Sequence, residues 1–419
     1  MIDARLIELG RLVTGRPESL FKGDYHRHFD SLRKAFSGRR ILVVGAAGSI
    51  GSSTLRCLLE WEPAETLLVD IAENNLVELL RSIRSDANLA QSHVAIQPVD
   101  YGSPIMERIL QTHLPFDWVF NFAAAKHVRS ERDVPSLLQM MDTNLLKADR
   151  FLGWLRKYGH GNEGVFFVSS DKAANPTNLM GASKRMMEQL LFWHASSDST
   201  GSTLLGASCD GGPLRCTTAR FANVAFSDGS LLQGFLNRIA KHQPLAGPSD
   251  IRRYFVTLEE SGHICTLASL LARPGEVLIP ALDELSYLKD FREIAELVLR
   301  FYGHEPNWCT SDQEAQAAVV QDGRWPCWFS PGDSMGEKPF EEFVGKGEHV
   351  REIGCQTVRI VRPASLPPTS ELEAMFHRLL GWVEHPDETV TKEAILACVQ
   401  KVVPTLSHAN SQKSLDARM

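Results

Sequence analysis

Short apolar runs alternate with amphipathic stretches through the first half of the chain. Arg40-Ile-Leu-Val-Val-Gly45 reads as a buried strand, and Thr66–Val69, Val94–Pro98, Trp118–Phe122 and Gly164–Ser169 repeat the pattern, with helix-like segments such as Ser52–Glu60 between them. That alternation predicts a parallel, doubly wound sheet of the α/β class. Ahead of it, Leu6, Ile7, Leu9 and Leu12, then Phe29, Leu32 and Phe36, recur at roughly helical intervals. Residues 1–38 therefore read as short amphipathic helices that pack on the domain or on a second subunit. Past Lys184 a helix continues through Met187, Leu190 and Leu191, and the Ser/Gly/Asp-rich Ser196–Gly212 reads as an inserted loop before a strand in Arg215–Val224. From about Phe226 the alternation decays, which suits a smaller lobe, and Thr391–Val403 reads as a terminal helix.

Composition narrows the class. The 419 residues are 43% hydrophobic and carry a formal charge of −7 without a dense Lys/Arg run, which argues against disorder and against a nucleic-acid face. The eight cysteines, from Cys57 to Cys398, form neither a CxxC pair nor a Cys/His cluster, so no metal site is expected. No apolar stretch approaches the ~20 residues that span a bilayer, and Met1–Gly10 carries acidic residues where a signal peptide needs a basic start. The expectation is a cytoplasmic protein whose partners are small molecules.

The first chemistry lies at the end of the first strand. In Gly45-Ala-Ala-Gly48-Ser-Ile-Gly51 the glycines permit a tight turn, a close backbone approach to a pyrophosphate, and tight helix–sheet packing, with the helix N-terminus facing the phosphates. Asp70, at the end of the next strand, is placed to accept from the ribose hydroxyls of NAD and to repel the extra phosphate of NADP. Gly45, Gly48, Ser49, Ile50, Gly51, Asp70 and Ala123 form the candidate cofactor set, and Asp100-Tyr101 either flank the adenine or form a polar strand end. The fold expected is a Rossmann-type doubly wound sheet at 39–225, a smaller C-terminal substrate-binding lobe at 226–365 that partly returns to the core, and a helical extension at 366–419.

Asn121-Phe-Ala-Ala-Ala-Lys-His-Val128, Thr143-Asn144, Ser169-Ser-Asp-Lys-Ala-Ala-Asn-Pro-Thr-Asn-Leu-Met-Gly-Ala-Ser-Lys184, Arg220-Phe-Ala-Asn223, Arg253-Tyr-Phe255 and Gly336-Glu-Lys338 form one series. Together they resemble the polysaccharide-biosynthesis branch of the extended short-chain dehydrogenases/reductases, in its soluble form, over about residues 40–345. The branch includes UDP-N-acetylglucosamine 4,6-dehydratases. The resemblance implies a NAD cofactor, a sugar nucleotide (a UDP-sugar above all) as substrate, and a homo-oligomer.

In that family a Ser/Thr and a Tyr-x-x-x-Lys pair assist hydride transfer. The matching positions here are Ser170, Met180 and Lys184; residues 180 and 184 share a helix face, but Met180 cannot exchange a proton. The resemblance places the elimination chemistry on Asp171 and Lys172, with Lys184 also on the nicotinamide ribose. It sets Lys126, Asn178, Arg220 and Asn223 along the sugar and diphosphate and Arg253 on the nucleotide phosphates, and leaves His127 a structural histidine. Ala222 and Asp228 depart from the family pattern, Asp228 standing where an arginine is common, and Ser196–Gly212 and the Trp308, Trp325, Trp328 segment could reshape the pocket. The function expected is 4,6-dehydration, with carbon-4 or carbon-5 epimerisation and a non-catalytic NAD-binding sensor or scaffold as the alternatives.

Overall fold

The computed structural model describes residues 4–126, 131–196, 199, 201–209, 211–282, 287–318, 320, 323–331, 341–363, 365–385 and 389–407. His127 and the Gly336-Glu-Lys338 motif lie outside them. Among the described residues the main sheet has nine strands: β1 (Arg40–Val44), β2 (Glu65–Val69), β3 (Val94–Gln97), β4 (Trp118–Asn121), β5 (Gly164–Val168), β6 (Cys216–Ala219), β7 (Val277–Pro280), β8 (His349–Arg351) and β9 (Val358–Arg362). Their order is β8-β9-β7-β6-β5-β4-β1-β2-β3. β1 to β7 run parallel, β9 is antiparallel to β7, and β8 is antiparallel to β9.

β1 and β5 are nearly continuous Val/Ile/Leu/Phe, and β4 is buried throughout, because helices cover both faces of the sheet, as a parallel sheet requires. One face packs on helices Pro104–Thr112, Val134–Met141, Lys147–Tyr158 and Leu179–His194, and on the terminal helices Thr369–Glu384 and Lys392–Val402. The other packs on Phe29–Phe36, Ser49–Leu59, Glu73–Arg84 and Leu258–Leu271. A third core belongs to a small lobe, where Leu9 and Val13 of the first helix, Ala4–Thr14, meet Phe235, Phe255, Ile294, Val298, Trp325 and Phe329. The N-terminal helices are thus built into two of the three cores of this chain.

The register levels the strand ends: Val44 pairs with Val69 and with Asn121, and Val168 with Ala219. The segments that follow, beginning at Gly45, Asp70, Phe122, Ser169 and Arg220, therefore emerge at one edge. Strand order reverses there between β1 and β4, which opens a crevice at the carboxyl ends of the strands.

Two expectations change. Within Ser196–Gly212 the chain forms a small hairpin, Gly201–Ser202 with Ser208–Cys209. The buried Asp149 holds it by accepting from Leu204 N at 3.2 Å and Leu205 N at 3.0 Å, away from the crevice. The tryptophans do not reshape the pocket: Trp325 is buried in the small lobe's core, and Trp308 and Trp328 belong to that lobe's own three-stranded sheet.

Candidate active site

A cleft of about 680 Å³ runs along the crevice, from Asp70 and Ile71 at one end to Asp171, Lys172 and Asn223. Gly48 precedes helix Ser49–Leu59 and has no side chain with which to cap it, so the first-turn amides face the cleft. A Cβ on Gly51 would run into the Gly45 carbonyl oxygen, which is why the helix sits so close to the sheet. Asp70 clamps this turn, accepting from Ala47 N and Ala72 N, each at 3.0 Å. A carboxylate has lone pairs left after two such bonds.

Asp100 takes the Lys147 ammonium and the Gly102 amide, the latter at 2.9 Å. The Tyr101 hydroxyl donates to the Thr143 carbonyl and its buried ring forms cleft wall, so burial pushes the phenol well above its ordinary range. Thr143 and Asn144 lie in a π-turn, Asp142–Leu146, within an otherwise α-helical stretch. The extra residue turns Asn144 inward, where its amide donates to Ala125 O and Ser183 Oγ and its carbonyl accepts from Ala125 N. It ties the loop after β4, which carries Ala123 and Lys126, to the helix bearing Met180 and Lys184.

Ser170 caps the one-turn helix Asp171–Ala173 by accepting from Lys172 N at 3.2 Å. Lys172 Nζ lies 3.2 Å from both carboxylate oxygens of Asp171; the carboxylate is 8% exposed, the lysine 39%. The neighbouring helix comes close because residue 181 is glycine: a Cβ there would stand 2.6 Å from the Lys172 carbonyl oxygen. Met180 lines the cleft, and its amide donates to Glu131. Lys184, 4% exposed, donates to Val168 O at 3.0 Å. Burial, against the opposing charge of Glu188 and with Lys126 adding, lowers its ammonium to about 8.

That depression has a stability consequence. The folded chain holds this proton less tightly than the unfolded one, so the cost is in full below pH 8 and disappears as pH rises from about 8 through the ordinary value of 10.5. Its size is about 3 kcal/mol at neutral pH. Lys184→Met is expected to raise the melting temperature of the ligand-free protein by a few degrees at pH 7. Thermal denaturation at pH 7 and pH 10 checks this; a gap that does not narrow at pH 10 contradicts it.

Three residues expected on the substrate stand elsewhere. Arg220 is fully buried, its guanidinium donating to Glu188 at 2.8 and 2.6 Å and to Glu348 at 2.6 and 2.9 Å. It is not a cleft residue, because two enclosed carboxylates already occupy its donors. Asn178 caps helix Leu179–His194, its carbonyl oxygen taking Gly181 N at 2.8 Å, and does not line the cleft. Arg253 lies behind the wall, 3.4 Å from Glu341. Lys126 and Asn223 do line the cleft, as do Ser169, Ser170, Asp171 and Lys172.

Sequence reasoning missed Glu188, Glu348, Glu341 and the partner of Asp228. Ser49 Oγ donates to Asp228 Oδ2 at 2.9 Å and accepts from Asp228 N at 2.8 Å, joining the glycine turn to the opposite lip. Glu341 is enclosed behind Asn223; burial, with the charge of Asp171 adding, raises its carboxyl against the pull of Arg253. The acidic pair after Gly336-Glu-Lys338 was the available signal: carboxylates amid apolar residues need internal partners.

A doubly wound sheet whose glycine turn and buried helix lysine meet in one cleft is the Rossmann-type fold that the sequence pattern predicts. Residues 41–363 match the family described as polysaccharide biosynthesis protein, and the chain belongs to that family. It is 26% identical over 331 residues to the capsular polysaccharide biosynthesis protein CapD of Staphylococcus aureus, an alignment covering 77% of this chain and 48% of CapD. The chain likewise spans about half of EpsC of Bacillus subtilis, 47% of its length. It is 26% identical over 300 residues to the UDP-glucose 4-epimerase of Rickettsia canadensis, covering 68% of this chain and 82% of the epimerase. The structure of Pen from Bacillus thuringiensis shares the fold with a TM-score of 0.60 and 20% identity, over 82% of this chain and 98% of Pen. No helix among the described residues is long and apolar enough to cross a membrane.

Proposed function

We propose that this chain is a NAD-dependent sugar-nucleotide 4,6-dehydratase, acting on a UDP-N-acetylhexosamine for surface-polysaccharide synthesis. The observation that carries the reading is the Asp171–Lys172 pair on the cleft wall, pressed against the helix that bears Met180 and Lys184.

The residues at the other end fit NAD. The uncapped helix start at Gly48 suits a pyrophosphate, and Asp70 suits a ribose while opposing a 2′-phosphate. Bound there, NAD supplies the two-electron acceptor for carbon 4 and the donor for carbon 6. Lys184, which lines the same cleft, would hold the cofactor ribose.

Oxidised at carbon 4, a hexose has an acidic proton on carbon 5 and a hydroxyl on carbon 6 that must leave. Moving one proton across the 3.2 Å contact from Lys172 to Asp171 makes a neutral base and a neutral acid together. Lys172 then takes the carbon-5 proton and Asp171 protonates the departing hydroxyl. Lys172, or a water held by Ser170, would take the carbon-4 hydroxyl proton that Met180 cannot accept.

Epimerisation is the second reading, supported by the similarity to a UDP-glucose 4-epimerase. Both reactions begin with carbon-4 oxidation, but epimerisation at carbon 4 has no use for an acid–base pair at carbons 5 and 6. Mass spectrometry of the protein incubated with UDP-N-acetylglucosamine and other UDP-, GDP- and dTDP-hexoses separates them. Dehydration gives a product lighter by one water. Unchanged mass with altered retention means epimerisation, and inert substrates throughout would favour a non-catalytic NAD-binding protein.

A further inference from the structure

Glu341 comes from the last third of the chain to the back of the cleft wall, where its side chain is 3% exposed. One carboxylate oxygen accepts from the Asn223 side-chain amide and lies 3.4 Å from Arg253 Nε; the other accepts from Tyr254 N at 3.0 Å. Asn223 Nδ2 also approaches the Tyr254 carbonyl at 3.4 Å. Both groups facing that nitrogen are thus acceptors, a carboxylate and a carbonyl. An amide with its nitrogen held inward turns its oxygen the other way, and the other way is the cleft that Asn223 lines. Asparagine in general offers either end to a ligand; this one is held as an acceptor.

That polarity decides what Asn223 meets. The oxygens of an ionised diphosphate have no proton to give, so an amide oxygen facing them is repelled. A sugar hydroxyl or an acylamino N–H has a proton to give and is attracted. We infer that Glu341 is a positioning residue which fixes Asn223 as a hydrogen-bond acceptor, so that Asn223 reads a donor group on the sugar and not the diphosphate. The inference rests on the reading of the cleft as a sugar-nucleotide site.

Exchange of the two polarities tests it. In Glu341→Gln, the side chain keeps its oxygen for Tyr254 N and turns an N–H toward Asn223, whose amide reverses to accept from it at the expense of the long 3.4 Å contact with the Tyr254 carbonyl. In Asn223→Asp, a second carboxylate faces Glu341. In the double variant, the carboxylate introduced at position 223 accepts from the amide introduced at position 341 and keeps an oxygen toward the cleft. Calorimetric titration of the NAD-loaded full chain with UDP-N-acetylglucosamine and with UDP gives the readout, with thermal melts of each variant in parallel. Each single variant is expected to weaken UDP-N-acetylglucosamine about tenfold, with little change for UDP, and the double variant to regain most of the loss. Equal loss for UDP, or a double variant no tighter than the weaker single, overturns the inference.

A second readout does not depend on a ligand. With ¹⁵N-asparagine labelling, the Asn223 side-chain signal is assigned by its loss in Asn223→Asp. Its amide protons should exchange slowly in the wild type and at least about tenfold faster in Glu341→Gln. Slow exchange with neither probe binding would sink the sugar-nucleotide reading and leave the Glu341 lock standing; fast exchange in the wild type sinks the lock whatever binds.

Discussion

Lys172→Met is expected to lower turnover by a factor of about 10²–10⁴, the usual contribution of a positioned acid–base group, without loss of bound NAD. Lys172 makes its side-chain contacts with Asp171 and, on the proposed reading, faces the sugar, whereas Gly48, Gly51, Asp70 and Lys184 would hold the cofactor. Asp171→Asn should fall by a similar factor, and the double variant by little more than either single, because the pair arms itself by one shared proton. Steady-state rates, with the nucleotide released on denaturation quantified separately, check both statements. Turnover within about fivefold of the wild type in Lys172→Met would remove the pair from the chemistry.

Arg220→Met is expected to cost about 3–5 kcal/mol of stability, because it leaves Glu188 and Glu348 enclosed, with Arg185 as their remaining ion-pair partner among the described residues. Burial alone would raise the Glu348 carboxyl; the hydrogen bonds and charge of Arg220, together with Arg185, outweigh it and hold the group at about 2. A carboxyl lowered by folding stabilises fully above its ordinary value of 4.5 and loses that contribution as pH falls toward 2. The deficit of Arg220→Met should therefore hold at pH 7 and shrink below pH 4.5. Replacing Arg220, Glu188 and Glu348 together by uncharged residues of similar volume should recover most of it. Denaturant titrations at pH 7 and pH 3.5 measure both effects, and an unchanged midpoint at pH 7 contradicts the account. Glu188 also accepts from Ser169 Oγ at 2.6 Å, so the same network holds the start of the Ser-Asp-Lys turn.

What could be read in the chain was local. The strand β1, the glycine turn and the helix after it lie in one continuous stretch, and Asp70 ends the next strand, so pattern and turn chemistry sufficed. Asp171 and Lys172 were visible because they sit in a dense motif. Arg220 was misplaced for the opposite reason. Arginine beside a predicted ligand site suggests phosphate, but its partners lie 32 and 128 positions away, and only the packing of helix Leu179–His194 against the segment before β8 brings them together. The Asn223–Glu341 contact spans 118 positions and was hidden likewise. The π-turn at Asp142–Leu146 left no periodic trace, since one residue of excess within a helix barely shifts the apolar pattern.

The most direct test of the central claim uses UDP-N-acetylglucosamine carrying deuterium at carbon 4, with the product examined by NMR and mass spectrometry. A 4,6-dehydratase that keeps its cofactor through the cycle delivers that deuterium to carbon 6 of a product that has lost one water. Deuterium found again at carbon 4 of a hexose of unchanged mass and inverted configuration would contradict dehydration and make the chain an epimerase.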